Sequence, residues 1–440
     1  MKHFILTFNP LLFILSGLFL LRPADRTAAQ EVLGITECYE RAKANYPLIR
    51  QYRLIEKTAH YNISNASKGW LPGLSVNAKV SYQSETTRLP FDVEKLASVV
   101  PGFEIPELNK DQYQVVAELK QNLWDGGEIQ VARETSRAQA ATEQARLESN
   151  LYELNDRVNQ LYFGSLLQDE LISQNASLQK DIRANLQRIE AMMENGVANQ
   201  SDRESLEVEL LKARQKEIEL KATRSACGHM LGMLIGKEEM ENISLQIPTV
   251  PGEILPSIIA RPELRAFAAE DRLLEIGHHR LTAGLMPKVG LFVQGGYGRP
   301  GLNMLENNFE PFYMAGVRLT WNMGKLYTLK NDRHRLEVNR QTVGVRRETF
   351  LFNTRMDLIR QKKDIRKIAE LIETDKEIIS LRTRIKEAAE IKLANGVISV
   401  TDLIREINAE DLARQAAAAR RIQRLAVIYN YMYTTNGNVE

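Results

Sequence analysis

After an apolar leader, the spacing of hydrophobic positions switches between two periods, and it does so twice in the same order. From about Ile35 to Lys68 apolar residues recur at helical spacing, through Asn45-Tyr46-Pro47-Leu48, until Trp70-Leu71-Pro72 ends the segment. From Gly73 the period drops to two: Leu74, Val76, Ala78, Val80 and Tyr82 alternate with Ser75, Asn77, Lys79, Ser81 and Gln83. A loop rich in proline and acidic residues follows. Alternation resumes with Tyr113, Val115, Ala117 and Leu119 against Gln114, Glu118, Lys120 and Asn122, and only Val116 breaks it. After Trp124-Asp125-Gly126-Gly127 helical spacing returns and persists to Asn195, a rod of about 100 Å at 1.5 Å per residue. Within it Leu147, Leu151, Leu154, Val158 and Leu161 keep the four-three spacing of a coiled-coil seam, which slips and resumes through Leu171, Leu178 and Ile182.

The second half repeats this order. Arg261-Pro262-Glu263-Leu264 opens a helix and Leu285-Met286-Pro287 closes it. One strand alternates Val289, Leu291, Val293 and Tyr297 with Lys288, Gln294 and small residues, broken at Phe292. A second alternates Tyr313, Ala315, Val317, Leu319 and Trp321 with Arg318, Thr320 and Asn322. A helix from about Lys325 to Asn395 spaces Leu351, Leu358, Ile365, Ile372 and Ile379 by sevens, and a last helix ends near Tyr433. The pattern predicts two internal repeats, 30–247 and 257–440, joined by a proline-rich linker at 248–256, with strands at about 73–84, 112–123, 287–297 and 311–322.

Each repeat turns at nearly the same words: Asn195-Gly196-Val197-Ala198-Asn199-Gln200-Ser201-Asp202 and Asn395-Gly396-Val397-Ile398-Ser399-Val400-Thr401-Asp402. In each, Gly supplies a left-handed helix stop, and a hydroxyl residue followed by Asp opens the next helix. The stretches 195–202 and 395–402 are therefore the tips of two helical hairpins.

Four strands of this length, greasy on one face and polar on the other, have the dyad pattern of outer-membrane strands. Four cannot close a barrel, and an open edge in lipid leaves backbone groups unsatisfied, so the strands must be shared between copies of the chain. A trimer would supply twelve. Trp70, Trp124 and Trp321 fall at the helix-proximal strand ends, and Tyr82, Tyr113, Tyr297 and Tyr313 near the loop ends, as two interfacial girdles would. The competing reading is a soluble sandwich packed on helices, which leaves the interruption of such long rods unexplained. The expected fold class is a mixed α/β membrane protein: a trimeric twelve-stranded barrel continued by an α-helical coiled-coil barrel.

Composition narrows the function further. The charged fraction is 26 % but nearly balanced, at +2, and basic residues lie among Glu and Asp on helical faces, which argues against nucleic acid as a partner. Lys2, the apolar run from Phe4 to Leu21 and Thr27-Ala28-Ala29 read as a secretory signal peptide spanning 1–29, with an uncleaved anchor as the alternative. Cys38 and Cys227 could pair in an oxidising compartment or stay as two thiols, and the sequence leaves this open with the thiols favoured. No catalytic, cofactor or metal constellation emerges. Gly295-Gly296-Tyr297-Gly298 lacks the Lys-Ser/Thr ending of a phosphate loop, and its glycines read as a strand bend. His278-His279 are adjacent and point to different parts of a helix surface, and Met192-Met193 read as packing. The expectation is a protein that is not an enzyme.

The duplicated helix-strand-strand-helix-helix plan, Arg261-Pro262-Glu263-Leu264 and the twin Asn-Gly-Val tips resemble the TolC-like outer-membrane efflux protein family over the whole mature chain. The resemblance implies a homotrimeric channel-tunnel in outer-membrane lipid with a periplasmic helical domain. It further implies docking to a periplasmic adaptor (membrane fusion) protein and an inner-membrane transporter, for efflux or type I secretion. It also implies a gate at the tips, where Asp202 and Asp402 match the family's acidic aperture positions. The structural alternative is that both only stabilise helix N-termini. Ile398 and Arg405 depart from the family's basic and acidic gate residues, so its locking ion pairs do not carry over; Arg405 could pair with Asp402 or Asp202. The resemblance makes Gly196, Val197, Gly396, Val397, Ile398 and Val400 the candidate adaptor-docking surface, against hairpin self-packing as the other reading. The alternative function is a periplasmic coiled-coil scaffold or adaptor without a barrel. The exported substrate and the type of pump are not legible.

Overall fold

The computed structural model describes residues 32–86, 109–237, 244–249 and 258–436. The leader at 1–29 and most of the linker at 248–256 lie outside them. In chain order the elements are β1 (Val32–Leu33), α1 (Ile35–Asn45), α2 (Gln51–Ser67), β2 (Gly73–Tyr82), β3 (Asp111–Trp124), α3 (Glu128–Tyr152), α4 (Leu154–Glu194), α5 (Gln200–Ile235), β4 (Ser244–Leu245), α6 (Pro262–Ala283), β5 (Lys288–Arg299), β6 (Glu310–Thr320), α7 (Leu326–Ala394) and α8 (Val400–Thr435).

Two predicted helices are broken. The one expected over 35–68 divides at Tyr46, whose ψ of 129° is extended because Pro47 crowds the helical conformation of the residue before it; a 3-10 turn bridges to α2. The rod expected from 127 to 195 is interrupted at Glu153, between α3 and α4, where the backbone stays near-helical at φ −60° and ψ −21°. The leucine seam continues across this break: Leu147, Leu151, Leu154 and Val158 are all buried. α7 spans its full 69 residues, about 100 Å of unbroken helix.

β2, β3, β5 and β6 form one antiparallel sheet in the order β2-β3-β5-β6. Register places Val76 opposite Ala117, Leu119 opposite Val293 and Leu291 opposite Val317, so the apolar residues of all four strands share one face. That face is bare: Leu74, Val76, Val80, Val115, Val293, Val317 and Leu319 are all exposed, Val80 by 73 %. Two irregularities of the sequence pattern resolve on the opposite, polar face. A Cβ at Gly316 would stand 3.0 Å from the Phe292 ring, and one at Gly296 would stand 2.4 Å from the Phe312 ring. Gly296 of β5 and Gly316 of β6 are thus seats for aromatic rings from the neighbouring strand, and β5 runs on through Gly295-Gly296-Tyr297-Gly298 to Arg299 with no shift in its register against β6.

Away from the sheet the helices form a single layer. Near the strands α2, α3, α6 and α7 lie side by side; farther out the neighbours are α5, α4, α8 and α7. Midway, α1, α4, α5 and α8 enclose Cys38, Val158, Tyr162, Leu231 and Ile422 under the two-residue parallel pair β1-β4. Cys38 and Cys227 are both free thiols, and burial pushes the Cys38 thiol up to about 11. The Arg-Pro-Glu-Leu motif has a structural task. Pro262 starts α6, and the Arg261 guanidinium sits 4.6 Å from the Tyr433 ring and 5.1 Å from the Tyr152 ring while pairing with Glu263. It ties the start of the second half of the chain to the ends of α3 and α8.

Candidate functional site

The two hairpin tips are built alike down to single hydrogen bonds. At the end of α4, Gly196 adopts φ +70°, and its N–H and that of Val197 donate to Met193 O and Met192 O, both at 2.9 Å. At the end of α7, Gly396 adopts φ +70°, with Gly396 and Val397 donating to Leu393 O and Lys392 O at 2.9 Å. These are Schellman closures, and a side chain in the left-handed region would strain them. Asn195 and Asn395 add side-chain donation to Ala191 O and Ile391 O.

The opening of the next helix differs from expectation. The caps are Asn199 and Ser399, three residues ahead of the aspartates, and not the Ser201 and Thr401 beside them. Asp202 accepts from the Asn199 N–H at 3.1 Å and returns its own N–H to Asn199 Oδ1 at 3.0 Å. Asp402 accepts from the Ser399 N–H at 3.2 Å and from its hydroxyl at 2.7 Å. Each aspartate is the reciprocal member of a capping box, which requires that three-residue separation. Donation from the Ser399 side chain and backbone holds the Asp402 carboxyl below its usual range. Arg405 lies one turn on, with Nη2 3.4 Å from Asp402 and Nε 3.3 Å from Glu406, and it does not reach Asp202 in the hydrogen-bonding and ion-pair pattern of the chain.

The tips meet through the apolar layer behind them. Ile189, Leu206 and Leu210 of the first hairpin share one buried cluster with Leu393, Leu403 and Ile407 of the second. This corrects part of the candidate docking surface. Val400 is 3 % exposed and Ile398 packs partly into the same cluster, because the first turn of α8 must cover the seam between the hairpins. Gly196, Val197, Gly396 and Val397 remain at the surface, with Val197 and Val397 exposed by 61 % and 69 %.

Periodicity alone missed a polar lattice that binds one hairpin to the other. Lys386 of α7, with its side chain only 11 % exposed, stands 2.8 Å from Asp181 of α4 and 2.7 Å from Glu410 of α8. Glu410 also receives Thr383 at 2.6 Å and Arg414, and Arg188 of α4 pairs with Glu390 of α7 at 2.7 Å. Lys386 continues the heptad line one step beyond Ile379, and a second row lies three residues after that line. Ile368 there is buried and apolar, but Thr354, Asp375 and Arg382 of the same row are polar and turned into the hairpin.

A chain of this build, a sheet with a bare apolar face continued by paired long helices ending in matched tips, has the fold of an outer-membrane channel subunit. It matches the Campylobacter jejuni CmeC outer membrane channel at 13 % identity, covering 92 % of this chain and 86 % of that one with a TM-score of 0.65. The Vibrio cholerae outer membrane protein VceC matches at 12 % identity over 92 % and 97 %, with a TM-score of 0.65. The open state of the Neisseria gonorrhoeae MtrE outer membrane channel matches at 14 % identity over 92 % and 89 %, with a TM-score of 0.64. No curated protein matches the chain by sequence. Residues 38–227 match the model of the outer membrane efflux protein family, the family the sequence resembles.

Proposed function

We propose that the chain is the outer-membrane exit duct of a tripartite efflux or type I secretion system, a homotrimer whose four strands per protomer close a twelve-stranded barrel. The two structural repeats would place their tips together at the periplasmic end. The observation that carries this reading is the sheet. One face is apolar and exposed, the other is polar, and among the described residues β2 and β6 are each paired on one side only. In water such a face is a liability, and in lipid open edges are untenable. Burial in a bilayer with edge-to-edge closure satisfies both.

The helical layer supports the same closure. Its α7 edge exposes Val338, Val345, Phe352 and Ile359 at intervals of seven, and the opposite edges expose Leu54 and Tyr61 on α2 and Leu211 and Ile218 on α5 at the same interval. Unpartnered heptad rows on both edges suit lateral pairing of copies. No helix among the described residues is long and apolar enough to cross a membrane. In the proposed duct the strands carry the insertion. A periplasmic scaffold or adaptor without a barrel does not account for them.

In this reading Asp202, Asp402 and Arg405 line the periplasmic aperture, and Gly196, Val197, Gly396, Val397 and the exposed part of Ile398 meet an adaptor that couples the duct to an inner-membrane transporter. The duct is passive, and cargo selection lies with the partners. The test is outer-membrane fractionation with heat-modifiable gel mobility: a detergent-dependent trimer is expected, and a soluble monomer without detergent sinks the proposal.

A further inference from the structure

The polar face of the sheet carries a charge imbalance that the apolar face does not. On the apolar face the charged residues are Asp111 and Arg299, paired with each other at the loop end. On the polar face the two rims hold Lys288, paired with Glu128 of α3 at 2.5 Å, and Glu310 beside the loop. Between the rims stand two cations, Lys120 and Arg318, against one carboxylate, Glu118, while Lys79 of β2 lies in the same cross-strand row as Glu310, with Gln114 and Gly298 between them.

The arrangement is fixed by packing. Phe292 lies over Gly316, and Arg318 stacks on the Phe292 ring with its guanidinium carbon 4.6 Å from the centroid. From there Arg318 reaches Glu118 at 3.1 Å, and Lys120 reaches the other carboxylate oxygen at 2.7 Å. The Glu118 side chain is 8 % exposed while Lys120 and Arg318 are 51 % and 46 % exposed, so the negative charge is covered and the positive charges face outward from the wall. Lys79 is exposed one strand away on β2.

We infer that the polar face of the sheet, near its helix-proximal end and along β2, is a basic selectivity segment that favours passage of anionic solutes through the barrel. This rests on the reading of that face as the lumen of a trimeric duct. Repeated by threefold symmetry, the exposed ammonium and guanidinium groups set a positive potential where solute must pass, and the covered Glu118 sets their position more than the field. The segment stands in series with the acidic tips and acts on charge in the opposite sense.

The test is reversal potential across planar bilayers under a KCl gradient, using the purified full-length trimer and substitutions that leave the tips unchanged. Lys79→Gln and the pair Lys120→Gln, Arg318→Gln should each shift the potential toward potassium, the pair more than the single. Glu118→Gln should shift it toward chloride. The shifts should be larger near 0.1 M salt, where the screening length is about 10 Å, than near 1 M, where it is about 3 Å. Lys79→Gln touches none of the packed cluster, so it reads the charge even where the other variants fold poorly. Conducting trimers whose permeability ratio is the same in wild type and Lys79→Gln would overturn the inference alone, whereas trimers with no conductance would overturn the duct reading beneath it.

Discussion

Asp202 and Asp402 each use one carboxylate oxygen on a backbone N–H three residues earlier, and the other oxygen of Asp402 faces Arg405 at 3.4 Å. The cap and the gate are therefore separable by chemistry. Asparagine keeps an acceptor for the capping box but removes the charge, whereas alanine removes both. The double variant Asp202→Asn, Asp402→Asn should lower potassium preference in bilayer recordings while keeping the thermal stability of wild type. The alanine pair should also lose stability, by about 1 kcal/mol for each capping interaction. An unchanged reversal potential in the asparagine pair would reduce both residues to helix caps. The tip words were readable in the sequence because Asn-Gly-Val ends a helix for local reasons, but Val400 was misplaced. Whether a residue just past a turn faces out or in depends on the second hairpin packed behind it, and no local signal carries that.

Between the tips and the middle of the helices, the hairpins are joined by ions as well as by leucines, and the two carboxylates at 410 and 411 sense pH in opposite directions. Burial works to raise Glu410, but Lys386, Thr383 and Arg414 hold it down to about 2 from 4.5. Its contribution is complete above about 4.5 and is lost as pH falls toward 2. Asp411 is pushed up to about 6 from 3.8, chiefly by burial. Its folded state prefers the protonated form, so its contribution is complete below 3.8 and is lost as pH rises through about 6. Asp411→Asn should therefore melt at a higher temperature than wild type at pH 7.5, and the difference should close near pH 4. A difference independent of pH would refute the assignment. The heptad line of α7 was legible from its spacing, but the polar row beside it was not. Lys386, Asp375 and Glu410 belong to a charged sequence background, and only the packed hairpins select which of those charges turn inward.

At the scale of the whole molecule, the two faces of the sheet should respond oppositely to the same substitution. Val317→Arg on the bare apolar face should cost about 2–4 kcal/mol if it lies near the bilayer midplane and reduce heat-modifiable trimer in outer membranes. Asn77→Arg on the polar face should leave trimer yield unchanged. Equal loss from both would argue for a sheet packed on protein. The sequence by itself determined the periods, the turns and the doubled order of elements, because alternation, heptads and glycine stops are properties of neighbouring residues. Tertiary structure decided which strands pair, that Phe292 and Phe312 sit over glycines on the polar face, and that Lys386 joins three helices. Those outcomes depend on residues far apart in the chain arriving within a few ångströms of one another, and one-dimensional spacing records only the faces that could meet.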